Sequence, residues 1–349
     1  MRRRRFLRAA GSAGLVATGG CLGLAGADEY AVPPVPADRP AGVYRPGHGA
    51  AAEVVGVADA GPFRLGLVYS YPDRFWELTG RKTYLRGVEP DDEVHLMALA
   101  WDPETGTVLP EVGLTVTVRR DGDLLAQEAV YAMLSQRLGF HYGDNFALDG
   151  DGTYEVEVSV GGLQMRTTGA FVGRFGDPAS TTFTFDYARR DRNDLATSRP
   201  EGAGAAGAMS PADLPGVPNA RAPERLPGDR LGAPTVDDAV LETVLLRGEA
   251  AARFDADRYL AVSPRTPYNR MLLPAMGLRV RLVRDGGTSF ERILARTLDP
   301  DLAYHYGTAV PEFRSGDELV VETLTPPQVA RHEGYETAFV EMESARLPL

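Results

Sequence analysis

Residues 108–122, VLPEVGLTVTVRRDG, and residues 272–286, LLPAMGLRVRLVRDG, are two versions of one segment. Leu109, Pro110, Gly113, Leu114, Val116, Arg120, Asp121 and Gly122 each recur unchanged 164 positions later. Without a gap, the same register lays His141-Tyr142-Gly143 on His305-Tyr306-Gly307. A period of that length, held across both segments, marks a repeated unit, so the chain is expected to fold as two related bodies. Farther on, one gap lays Thr168-Gly169-Ala170-Phe171 on Thr337-Ala338-Phe339.

The repeated unit reads as β. FRLGLVYSY, EVHLMALAW, LTVTVRR, TYEVEVSV and TTFTFDY are short runs rich in β-branched and aromatic residues, several of them alternating, separated by Asp, Gly and Pro. PDDEV and DGDG supply turn residues between them. The pattern predicts an all-β chain with a β-sandwich at 44–188 and a second at 233–349. Between them, 189–232 is crowded with Pro, Gly and Ala and has no period. Too little apolar surface is available there to offset chain entropy, which predicts a disordered linker.

The N-terminus carries an export signal. Arg3, Arg4, Phe6 and Leu7 fit a twin-arginine signal peptide over residues 1–20, which implies export in the folded state. The apolar stretch after them falls short of the roughly 20 residues a membrane span requires. Cys21 stands where a lipid-modified cysteine would, although Thr18 occupies the usual large apolar position. Residues 21–43, rich in Pro, Ala and Gly, read as a tether. The expected location is the outer face of the cell membrane, held by a lipid anchor. Cys21 is the only cysteine, so no intrachain disulfide and no thiolate metal site can form.

The net charge is −11, and the first 20 residues hold five arginines and no acid, so the remainder is more acidic still. Lys82 is the only lysine among 37 basic residues, a bias that fits a halophilic source. Such a surface repels phosphate, which argues against a nucleic-acid partner. No G-x-S-x-G, H-E-x-x-H, phosphate-binding glycine loop or C-x-x-C pair is present, so no enzymatic activity is expected. The acidic runs at Glu89–Glu93 and Asp149–Gly152 read as solvated turns, since the second lacks the closing glutamate of a calcium loop.

There are five histidines: His48, His95, His141, His305 and His332. His48, in RPGHGA, reads as surface. His95 and Met97 lie two apart on a strand and so share a face. Imidazole suits iron, copper and zinc, and a thioether adds a preference for copper. The stretch GFHYGDNFALDGDGTYEVEVSV resembles the periplasmic ferrous-iron transport family, immunoglobulin-like β-sandwich proteins that bind iron or copper beside an iron permease. In that family a strand carries His-x-Glu. A His-Tyr-Gly turn follows with a methionine seven residues before its histidine, and a third histidine precedes a Thr-Gly-Val segment. The resemblance covers about 100 residues of each repeat and is most specific around His141-Tyr142-Gly143-Asp144-Asn145.

The resemblance implies two tandem immunoglobulin-like domains and an iron or copper ion as ligand. It also implies an iron permease of the membrane as partner, and pairing of the two repeats as an intrachain pseudo-dimer or of whole chains as a homodimer. Its site would comprise His95, Met97, His141 and Met165 in the first repeat, and His305 and His332 in the second, with Tyr259 as a further candidate. The match has gaps. Met97 replaces the glutamate, Gln164 or Met165 replaces the third histidine of the first repeat, and Leu134 stands at the methionine position. Met133, one residue off, would point to the opposite face of a regular strand. In the second repeat Tyr259 and Ala261 stand at the places of His95 and Met97. Either the repeats pack together, His332 completing the site of the first, or they are independent modules of which one has decayed. The alternative function is a structural or interaction lipoprotein without metal.

Overall fold

The computed structural model describes residues 32–349. The signal peptide, Cys21 and the first part of the tether lie outside the described residues. What is described is nearly all β, with two short α-helices, Arg189–Asn193 and Glu249–Ala252, and one 3-10 turn, Gly169–Phe171. Strand Gly152–Val160 shows why. Tyr154, Val156, Val158 and Val160 point inward while Thr153 and Glu155 face out, so one face of the pleat is apolar.

Each repeat builds two sheets packed as a sandwich. In the first, a four-stranded sheet runs in the order Ala179–Tyr187, Gly152–Val160, Leu114–Arg120, Asp123–Ala129. Its eight-stranded partner places Asp92–Trp101 beside Gly139–Ala147, and that strand beside Tyr131–Ser135. The second repeat matches. Ala239–Arg247, Arg258–Arg265, Ala303–Ala309 and Ala295–Asp299 form the corresponding run of its larger sheet, and Gly287–Ile293 and Gly277–Arg284 begin the smaller one. The difference lies before the histidine strand. The first repeat inserts the hairpin Phe75–Thr79/Lys82–Arg86, where the second has the helix Glu249–Ala252.

The two halves are not independent modules, because each lends a strand to the other. Ala330–His332, from the second repeat, runs parallel to Tyr131–Ser135 with Ala330 opposite Met133 and Arg331 opposite Leu134. Arg166–Thr167, from the first, runs parallel to Ala295–Asp299 with Arg166 opposite Thr297 and Thr167 opposite Leu298. Every one of these residues has its counterpart 164 positions away. The exchange is therefore reciprocal and in one register, and it sets Thr168, not the Gln164–Met165 pair, as the positional counterpart of His332, so the gapped match of Thr168 to Thr337 does not hold.

The segment expected to be a disordered linker is laid down against both halves. Arg192 is buried and donates to the Glu93 carbonyl and carboxylate. Thr197–Ser198 pairs with Gly49–Ala50. The amides of Ala212 and Ala220 donate to the carbonyls of Arg137 and Leu138. Leu195, Leu214 and Val217 are buried. A stretch without its own period still has backbone groups to satisfy, and here the neighbouring strands and loops supply the partners. Asp229–Gly232 is already an edge strand of the second repeat. The end of the expected tether is docked too. Gly42 donates to Thr337 Oγ1, and Arg39 pairs with Glu336 at 2.9 Å. Among the described residues no helix is long and apolar enough to cross a membrane.

Candidate metal centre

Three imidazoles converge where the exchanged strand enters the larger sheet of the first repeat. His95 comes from Asp92–Trp101, His141 from Gly139–Ala147 and His332 from the end of Ala330–His332. One ring nitrogen of each lies within 4.8 Å of those of the other two. His95 and His141 are fully buried, and the side chain of His332 is 12% exposed. Ring centres stand 5.2 Å apart for His95–His332 and 5.4 Å for His141–His332.

The Nδ1 atom of each ring faces an oxygen. The His95 Nδ1 lies 2.8 Å from Asn145 Oδ1, and Asn145 is itself oriented because its Nδ2 donates to the Asp73 carbonyl. The His141 Nδ1 lies 3.0 Å from the Gly139 carbonyl. Gly139 has φ 75°, a left-handed conformation that suits glycine. The His332 Nδ1 stands 3.6 Å from Asp73 Oδ2. With acceptors at all three Nδ1 atoms, the proton belongs there and the lone pair on Nε2. All three Nε2 atoms are buried and make no hydrogen bond. Burying unpaired polar atoms costs about 1–3 kcal/mol each, and three together need a reason.

The electrostatics keep His95 and His141 neutral. Burial pushes His95 down to about 4, helped by nearby His332 and opposed by Asn145 and Asp73. Burial, with His332 and His95 adding to it, holds His141 well below the ordinary histidine value against the Gly139 carbonyl. Burial would raise Asp73, yet His332 and His48 hold it below the usual carboxylate range. Neutral imidazole is the form that ligates.

The thioether of Met133 stands beside the cluster. On the hairpin Met133 stands directly opposite His141, and such pairs share a face. Counting along one strand put Met133 on the wrong face; the cross-strand register decides the matter. A Cβ on Gly143 would lie 3.0 Å from His95 Nε2 and 3.4 Å from Met133 Sδ, so the glycine leaves room for both. Met97 shares the face of His95 and is buried. Met165 does not join this site, because the chain there leaves for the other half: its neighbour Arg166 pairs with Thr297.

His305 stands apart from the other three. Its Nδ1 lies 3.0 Å from the Ala303 carbonyl, as His141 lies from Gly139, but its Nε2 meets the Tyr259 hydroxyl at 3.1 Å. Around it Tyr259, Thr297 and Thr168 occupy the positions of His95, Met133 and His332, and Thr168 donates to Asp299. Ala261, at the position of Met97, adds no donor.

Four residues beside the cluster escaped the sequence reading. His48 is buried, with Nε2 3.2 Å from Asp73 Oδ1 and Nδ1 3.6 Å from Glu333. It is not the surface residue its loop suggested. Arg74 pairs with Glu333, whose other oxygen accepts the Gly47 amide at 2.6 Å. The only sequence signal for any of these was the adjacency of His332 and Glu333.

Residues 93–188 match the family model described as Fe2+ transport protein. Residues 224–348 match another, described as Domain of unknown function (DUF7350). The solved structures that align with part of the chain include two of FetP. One is FetP of uropathogenic Escherichia coli strain F11 as isolated after expression in the periplasm, 18% identical over 40% of this chain and 98% of that one, with a TM-score of 0.30. The other is a copper-bound variant of FetP, 19% identical over 39% and 97%, with a TM-score of 0.29. No curated protein matches.

Proposed function

We propose that this chain binds a transition-metal ion, iron or copper, through His95, His141 and His332 with Met133 as the soft fourth donor. The observation that carries this is the set of three buried Nε2 atoms without hydrogen bonds, each on a ring whose Nδ1 faces an oxygen. Three imidazoles serve either metal, and the thioether weights the set toward copper, cuprous above all. The match of residues 93–188 to the Fe2+ transport protein description supports a place in metal uptake. In this reading the protein is exported, held on the outer face of the membrane through Cys21, and presents the ion to a permease. It acts by binding and release and needs no catalytic group. The repeats descend from a tandem duplication that put two pairing partners in one chain, after which one half kept the donors.

The second half carries a different role. With His305 Nε2 taken by Tyr259, that half reads as structural, lending His332 rather than holding an ion. The test is anaerobic titration of the purified protein with Cu(I) and with Fe(II), followed by metal analysis after desalting. One ion per chain is expected. Retention of neither ion would overturn the reading.

A further inference from the structure

A cavity of about 100 Å³ opens beside the imidazole cluster, lined by His95, His332, Met97, Met209, Asp73 and Glu333 among others. A water needs only about 10–15 Å³ of such volume, so there is room for several waters or a partly hydrated ion. His95 and His332 line it, so it stands against two of the three imidazoles.

Met209 does not come from either repeat's sheets. It is carried in by the segment that joins them, and its placement is built. Its amide donates to Gln136 Oε1 at 2.8 Å, and the Gln136 Nε2 donates to the Tyr44 carbonyl at 2.7 Å and also reaches the Gly334 carbonyl at 3.2 Å. Gln136 is buried, and these bonds pin three chain segments around one amide. Gly49 clears the space, since a Cβ there would come within 2.7 Å of Met209 Cε. Met97, on the His95 strand, also lines the cavity. Two thioethers lining a cavity beside imidazoles favour a soft ion over a hard one.

We propose that this cavity is the route by which the ion reaches the imidazoles, and that Met209, with Met97, is a thioether relay that speeds loading of a soft monovalent ion. The inference rests on the metal-binding reading above. The probes are Ag(I), a closed-shell stand-in for Cu(I), and Co(II), followed by stopped-flow through the protein's intrinsic fluorescence on the full chain. Met209→Leu keeps the volume and removes the sulfur. It should slow Ag(I) loading severalfold and leave Co(II) loading and the final stoichiometry unchanged. Met209→Trp should slow both ions by obstructing the passage. Met209→Ala, which opens it, should speed Co(II) and slow Ag(I). Wild-type Ag(I) rates in the leucine variant would overturn the relay, and wild-type rates for both ions in the tryptophan variant would overturn the route. Failure of the wild-type protein to retain any ion would instead overturn the metal-binding reading.

Discussion

His141 and His305 are the same residue on the same strand of two related sheets, and they do different things. Each has its Nδ1 3.0 Å from a carbonyl two residues back, Gly139 in one case and Ala303 in the other. Each is followed by a tyrosine whose hydroxyl accepts an amide, from Val112 in the first half and Met276 in the second. Only the far nitrogen differs. In the second half a phenol meets Nε2, and the imidazole is a satisfied core residue. In the first half the position of that phenol holds His95, and the third ring is brought over from the other repeat. A His-Tyr-Gly motif thus prescribes a ring orientation; whether the ring can bind anything is decided across the sheet.

The sharpest way to break this comparison is to truncate both rings. His141→Ala is expected to abolish retention of copper or iron, while His305→Ala leaves one ion per chain. The His305 change should instead lower stability, by about 1–3 kcal/mol, because the buried Tyr259 hydroxyl loses a partner. Metal analysis and denaturant unfolding of the two variants decide it. Equal loss of metal in both would show that the halves are not functionally distinct.

Acid acts on both halves alike. Burial holds His95 and His305 at about 4 in the folded chain, against about 6.5 for a free imidazole. The unfolded chain therefore binds more protons than the folded chain between those values, and stability falls as the pH drops from 6.5 toward 4. Each ring accounts for a loss of about 3 kcal/mol across that window, with His141 adding in the same direction. Metal should separate the halves here, since protons compete with the ion for His95 and His141 but not for His305. Unfolding free energy measured from pH 7 to 4, with and without metal, should show a steeper fall for the loaded protein. A flat profile in both states contradicts the assignment of neutral buried rings.

Asp73→Asn tests how far the first half depends on orientation rather than donors. Asp73 faces both His332 and His48, and partners of this kind commonly cost 10–100-fold in metal affinity when changed. That loss is the expected result by competition with a chelator. Unchanged affinity would mean that the backbone of the exchanged strand alone positions His332.

How much of this was legible beforehand follows from the range of each signal. Alternation along single strands announced the sandwiches, because burial of one face is local. The 164-residue register singled out His141 and His305 as a matched pair, and the resemblance around His141 brought in His95. Placement of His332 required knowing that short strands cross between halves, which no local pattern encodes. Met133 was misassigned because its face depends on the partner strand. Met165 was misassigned because the chain around it belongs to the other sheet. Asp73 and His48 sit in loops, where their neighbours come from distant segments. The stretch 189–232 was read as free because it lacks a period, yet its burial is borrowed from surfaces already formed.

The smallest change puts the comparison under the most direct strain. Tyr259→Phe removes one buried oxygen and frees His305 Nε2 without altering the shape of the ring. The lost bond should cost about 1 kcal/mol, read as a modest fall in the denaturant midpoint. No second ion should bind, because Thr297 and Thr168 stand where a thioether and an imidazole stand in the first half, and one free imidazole does not make a transition-metal site. Metal analysis should therefore still return one ion per chain. If the phenylalanine variant takes up two, the phenol was masking a competent site, and the difference between the halves is one of access rather than of donors.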